Sequence, residues 1–141
     1  MNGMFLNCNK LKTLKGLDNF NTASVENMNK MFRRCKELEF LDLSNFDTSK
    51  VNNMNGMFSE CDKLKAIGGL DNFNTSSVIN MYIMFSCCYE LEYLDLSNFD
   101  TSKVNNMKAM FSVCNKLKKI EGLDNFNTAS VENMDEMFSF C

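Results

Sequence analysis

Apolar residues recur along this chain with two spacings, and the spacings alternate. In Val25, Met28, Met31, Phe32 and Cys35 the steps are 3, 3, 1 and 3. Such steps place side chains on one face of a helix, so the pattern predicts a short helix. Thr22 with Asn21, and Thr48 and Ser49 with Asp47, stand just before these stretches as candidate N-caps. Leu38, Leu41 and Leu43 then follow as L-x-x-L-x-L, and the last two alternate. Alternation suits a short strand with one buried face. One such helix and one such strand cannot bury their apolar faces alone. Stacked copies can, which predicts an α/β solenoid with a parallel β-sheet on one face and short helices on the other.

The copies are visible in the sequence. Met-Phe occurs at 4, 31, 57, 84, 110 and 137, at intervals of 27, 26, 27, 26 and 27. Three residues after each Phe stands a cysteine: Cys8, Cys35, Cys61, Cys88, Cys114 and Cys141. The reading is a single repeat domain over residues 1–141, with five repeats starting at Met4, Met31, Met57, Met84 and Met110 and a partial one at Met137. Long units read GLDNFNT, at 16, 69 and 122, and short units read LDLSNFDT, at 41 and 94. The extra residue lies beside Gly16, Gly69 and Gly122, where a bulge at the strand end is expected. A long and a short unit together repeat every 53 residues, so LDLSNFDTSKVNNM fills both 41–54 and 94–107.

L-x-x-L-x-L followed by a turn is the mark of leucine-rich repeats. The runs LDLSNFDTSKVNNM, MFSEC and MFSVC, with a leucine three residues after each cysteine, make the match closer. On these residues the chain resembles the BspA-like leucine-rich repeat surface proteins, which include repeat lipoproteins of wall-less bacteria. The resemblance spans essentially the whole chain. It implies an extracellular or cell-surface location and a role in adhesion or host contact. The chain departs from whole members of that group by lacking a secretion signal, a lipid-attachment cysteine and terminal caps. Counting from Leu41 puts Phe46 where ordinary leucine-rich repeats carry an asparagine. Phe20, Phe46, Phe73, Phe99 and Phe126 are therefore expected to form a stacked aromatic spine.

Charge adds a second pattern. The residues flanking each first leucine are Lys10 and Lys12, Glu37 and Glu39, Lys63 and Lys65, Glu90 and Glu92, then Lys116 and Lys118. The sign alternates strictly from unit to unit. Parallel strands lie about 4.8 Å apart, so each lysine is expected beside glutamates on both sides. Such pairs contribute about 0.2–1 kcal/mol each, and a slip by one unit would juxtapose like charges.

The outward strand positions would form a concave binding face. They are Thr13 and Lys15; Phe40, Asp42 and Ser44; Ala66 and Gly68; Tyr93, Asp95 and Ser97; Lys119 and Glu121. Phe40 and Tyr93 are the expected anchors, with Asp42, Asp95 and Lys119 beside them. The partner would be a protein or glycan. Asp18, Asp42, Asp71, Asp95 and Asp124 suit turns better than calcium.

The cysteines recur once per unit, which suits small buried side chains better than disulfides or a zinc site needing four convergent ligands. Cys87 matches Arg34, Glu60 and Val113 in other units and should face outward. Met28, Met54, Met81, Met107 and Met134 read as core. Asn27, Asn53, Asn80, Asn106 and Asn133 read as a hydrogen-bonding ladder or as caps. The sequon Asn74-Thr75-Ser76 is a pattern that arises often by chance.

The sequence has no histidine, the usual general base and commonest metal ligand. With no nucleophile–base pair and no phosphate loop, the expectation is a non-enzymatic protein without cofactor or metal. The net charge of −3 argues against nucleic acid as a partner, and no apolar run is long enough for a membrane span. The expected function is a surface scaffold for binding or adhesion. The alternative is a self-assembling structural element, because the pattern starts and stops inside a unit and leaves uncapped ends. Stacking one copy on another would set Lys116 and Lys118 beside Lys10 and Lys12. The ladder therefore favours a longer array, in which a glutamate-type unit is expected to follow Cys141.

Overall fold

A computed structural model describes all residues, 1–141. It contains small parallel strand pairs in a repeat fold. Strand β1 (Phe40–Asp42) pairs in parallel with β2 (Ala66–Gly68), and β3 (Tyr93–Asp95) with β4 (Lys119–Glu121). These are two separate two-stranded sheets, not one continuous sheet. Each pair joins a short unit to the long unit that follows it. The strands β2 and β3, where a long unit meets the next short one, are not hydrogen-bonded to each other.

The helices expected over segments such as Val25–Cys35 are absent. Those residues form successive β-turns. In one unit Met31 N donates to Met28 O and Cys35 N to Phe32 O, both i to i−3. The third residues of these turns, Lys30 and Arg34, have φ of 55° and 64°. Positive φ at that position alone is the type II arrangement. The amides between them reach across to the next unit: Met28 N, Lys30 N, Phe32 N and Arg34 N donate to the carbonyls of Asn53, Asn55, Met57 and Ser59. Half of the amides thus close turns and half bind a neighbour. The helical assignment failed because β-turns, like helices, bring residues i and i+3 to one side. Only helices in the 3-10 form occur, at Leu17–Asn19, Leu70–Asn72 and Leu123–Asn125.

The same third turn positions are filled in later units by Gly56, Glu60, Ile83, Cys87, Ala109 and Val113, all at positive φ. For Ile83 and Val113 this is costly, because a β-branched side chain clashes there, at about 1–2 kcal/mol each.

The core is one cluster of side chains from both halves of each unit. Met28, Met31, Phe32, Cys35, Leu38 and Leu43 are completely buried, and so are their counterparts in the next two units, apart from Leu70 at the Leu43 position, which is 4 % exposed; Ile67, at the Leu41 position, is only partly buried. The aromatic column is not the one expected. Phe5, Phe32, Phe58, Phe85, Phe111 and Phe138, the Phe of each Met-Phe pair, stack ring on ring with centroids 5.3, 5.9, 5.4, 5.7 and 5.3 Å apart. In the Phe20 to Phe126 column only Phe73 and Phe99 stack, at 6.4 Å. The turn segments lie in unbroken register, whereas the strand ends do not, so the former stack rings at every junction and the latter at one.

Polar side chains bind one unit to the next. Thr22, Thr48, Thr75 and Thr101 are buried, and their hydroxyls donate to the carbonyls of Asp47, Asn74, Asp100 and Asn127 at 3.0–3.1 Å. Thr22 and Thr48 also accept the amides of Asp47 and Asn74 at 2.8 Å. These threonines are inter-unit clamps, not helix caps. The asparagine ladder is made by backbone: Asn27, Asn53, Asn80, Asn106 and Asn133 bridge in parallel from unit to unit. Their side chains act locally, as where Asn27 Oδ1 accepts the amide of Asn29 at 2.9 Å.

Candidate functional site

The strand face is built from three-residue strands whose middle residue points inward. In β1 and β3, Leu41 and Leu94 are buried while Phe40, Asp42, Tyr93 and Asp95 face out. Phe40 is 61 % exposed and Tyr93 48 %. Lys65 Nζ lies 5.9 Å from the Phe40 ring centroid, a cation–π contact from the paired long unit. Lys119, beside Tyr93 in register, forms an ion pair with Glu121. That carboxylate raises the Lys119 pKa.

Asp42 and Asp95 are occupied by turns. Asp42 Oδ1 accepts the Ser44 hydroxyl at 2.6 Å and the Ser44 amide at 3.0 Å. Asp95 Oδ1 accepts the Ser97 amide at 3.0 Å. Hydrogen bonds from these serines hold both carboxyls below the ordinary aspartate pKa. The five strand-face residues therefore form two similar clusters, one on each strand pair.

The charged residues meet on one side only. Lys63 and Lys65 lie 2.8 and 2.7 Å from Glu37 and Glu39, and Lys116 and Lys118 lie 2.7 and 2.8 Å from Glu90 and Glu92. These pairs bridge short units to the long units after them. Lys10 and Lys12 form no ion pair with Glu37 or Glu39, nor do Lys63 and Lys65 with Glu90 or Glu92. The expectation of partners on both sides fails because strands are paired at only alternate junctions. Hydrogen bonds from Lys65 and Lys118 hold the Glu39 and Glu92 carboxyls below the ordinary value.

Where the strands part, clefts open. One of about 420 Å³ lies between the first long unit and β1, lined by Leu14, Lys15, Gly16, Asp42, Asn45 and Phe46 among others. A smaller one, about 100 Å³, lies between β2 and β3 against Ile67, Leu70, Tyr93 and Leu94. Both are features that repeat counting could not show.

All seven cysteines are free. Each core thiol donates to the carbonyl of the Phe in the preceding unit: Cys61 to Phe32 at 3.1 Å, Cys88 to Phe58 at 3.2 Å and Cys114 to Phe85 at 3.1 Å. Burial pushes the Cys114 thiol up to about 12 and raises those of Cys61 and Cys88 as well. Buried and held protonated, these thiols offer little thiolate, the form that oxidants and electrophiles attack. No helix is long and apolar enough to cross a membrane.

Repeated units that hydrogen-bond edge to edge, with no element able to bury itself alone, define a tandem repeat protein. The chain belongs to the family described as Mycoplasma protein of unknown function, DUF285, whose model matches it twice, over residues 1–69 and 65–141. No curated protein and no solved structure matches it.

Proposed function

We propose that the chain is a five-repeat solenoid of the BspA-like leucine-rich repeat type, a non-enzymatic cell-surface scaffold. It has parallel strand pairs on one face and turns, in place of helices, on the other. Its strand face recognises a protein or glycan, with Phe40 and Tyr93 as anchors and Asp42, Asp95 and Lys119 as the polar surround.

The observation that supports this reading is the exposure of Phe40 and Tyr93 on strands whose backbone is fixed by pairing. Exposed aromatics on a rigid support bury much area at little cost in side-chain entropy, which is what a binding anchor needs. The test is binding of the chain to immobilised glycans and extracellular-matrix proteins, alongside the double variant Phe40→Ser, Tyr93→Ser. The expected result is a loss of at least about tenfold in affinity with melting temperature and mass unchanged. Equal binding by the variant, or no binding by the unaltered chain to any of the panel, sinks the reading.

A further inference from the structure

The turn surface carries a second feature, separate from the strand face. From Asn72 to Tyr89 the chain has no charged residue. Its outward turn positions are Ile79, Tyr82, Ile83, Cys87 and Tyr89, where the preceding unit has Asn52, Asn55, Gly56, Glu60 and Asp62. Ile79 is 47 % exposed and Tyr89 37 %. Ile83 holds a φ of 48° that disfavours its side chain, at a site where Gly56 and Ala109 stand in the flanking units. The Ile83 side chain reaches over Gly56, with its Cγ1 3.5 Å from where a Cβ on that glycine would lie. A β-branched residue held at a strained φ and left partly exposed in an uncharged patch points to a surface use.

The charges around the patch say what covers it. One column runs through the third turn positions Gly3, Lys30, Gly56, Ile83, Ala109 and Glu136, all at φ between 48° and 60°. Within it Ile83 stands between two small residues, with a cation two units before it and an anion two units after it. Lys30 and Glu136 have no ion-pair partner within the chain, whereas Arg33 and Arg34 are both held by Glu60 at 2.6 and 2.7 Å. Of the other charges nearby, Lys36 is paired with Asp62 and Asp135 with Lys108, which leaves Lys30 and Glu136 as the unpaired charges of the column.

We propose that this turn face docks a second copy of the chain, antiparallel, about a two-fold axis at Ile83. A two-fold contact sets each position against its mirror in the column. Lys30 then meets Glu136 of the second copy, and Ile83 meets Ile83. The same apolar patch docked with both copies parallel would set Lys30 on Lys30 and Glu136 on Glu136. Charge therefore selects the antiparallel arrangement. The interface leaves Phe40 and Tyr93 free, so the dimer would display two strand faces.

The experiment is sedimentation and light scattering of the full chain over a concentration series at low salt. The expected result is a mass that saturates at twice the monomer. Ile83→Lys, Lys30→Glu and Glu136→Lys should each weaken the dimer by at least about tenfold, since every change acts twice across a two-fold axis. Lys30→Glu combined with Glu136→Lys should restore it. Both changes keep a non-glycine residue at a positive φ, so folding is not perturbed by the backbone, and melting temperature checks this. A mass that stays monomeric at every concentration overturns the proposal. So does growth beyond two copies, a dimer indifferent to Ile83→Lys, or a double charge exchange no tighter than the single ones.

Discussion

The junction from a short unit to a long one and the junction from a long unit to a short one are built differently. At the first, β1 and β2 are hydrogen-bonded and two lysine–glutamate pairs bridge them. At the second, between β2 and β3, there is no strand pairing and no such pair. The turn side behaves in the opposite sense. Phe32 and Phe58, across the paired junction, are 5.9 Å apart, and Phe58 and Phe85, across the open one, are 5.4 Å apart. The same alternation recurs at Phe85–Phe111 (5.7 Å) and Phe5–Phe32 (5.3 Å). Units thus rock: where strands close the turn sides part slightly, and where strands part the rings draw together. The cohesion common to all junctions lies in the turn segments, the buried threonines and the rings. The strands add a second bond at every other junction only.

Glycine at the paired junction is the most direct way to break this difference. A Cβ on Gly69 would lie 2.6 Å from the carbonyl carbon of Leu43, and one on Gly122 would lie 2.5 Å from Ser97 N. Both glycines also hold a φ of 83°. Gly69→Ala should therefore cost about 2–5 kcal/mol, from left-handed strain and overpacking together. Gly16 has nearly the same φ but only Asn19 Nδ2, at 3.9 Å, near its Cβ position. Gly16→Ala should cost only the strain, about 1–2 kcal/mol. Urea unfolding of the two variants measures the gap, and equal losses would show that the close approach is not what sets the paired junction.

Charge reversal should sharpen the comparison at smaller amplitude. Lys65→Glu faces Glu39 across a paired junction and should lower the urea midpoint, as an exposed pair made repulsive. Lys12→Glu lies at an open junction and should change stability by less than about 0.5 kcal/mol. A double-mutant cycle of Lys65→Glu with Glu39→Lys reports the pair itself. A cycle energy indistinguishable from zero would make the ladder ornamental at neutral pH.

Acid supplies the smallest effect. The folded carboxyls of Glu39 and Glu92 titrate below the ordinary 4.5 because of hydrogen bonds from Lys65 and Lys118. A depressed folded pKa adds stability above the unfolded value, and that stability is lost as pH falls through the folded one. Melting temperature should thus decline below about pH 4.5, and Lys65→Met should flatten the decline. A variant whose acid limb matches the unaltered chain would remove the pair as its cause.

Much of this architecture is written in the sequence, and the part that is not has a physical reason. The period, the strand positions and the buried Met, Phe, Cys and Leu follow directly from spacing, because a repeated environment needs a repeated residue. Val25, Met28, Met31 and Cys35 could not reveal turns, since steps of three serve turns and helices alike. The sign that could have done so is at the third turn positions. Gly3 and Gly56 sit there, and a glycine in the middle of a supposed helix face is a poor helix former. The phenylalanine column was misassigned because both columns repeat equally well in sequence. Only the regular turn-side hydrogen bonding decides which rings stay parallel. The one-sided ion pairs depended on strand pairing, and alternating charge signs carry no information about distance. Phe40 and Tyr93 stood out in the letters as outward strand positions, whereas the uncharged segment from Asn72 to Tyr89 gains meaning only once the turns show which of its residues face outward.

The alternation of junctions also sets the step in which such a gene can grow or shrink. The two copies of LDLSNFDTSKVNNM begin at 41 and 94. Unequal exchange between them would gain or lose 53 residues, one short and one long unit together. Every new boundary would then reproduce an existing one, with Gly69-type contacts and lysine against glutamate preserved. Loss of a single unit would instead place two long or two short units side by side, setting a glycine bend where no short strand receives it. Length variants of this protein should therefore be viable in whole pairs, and an odd count should mark a chain that has compensated elsewhere.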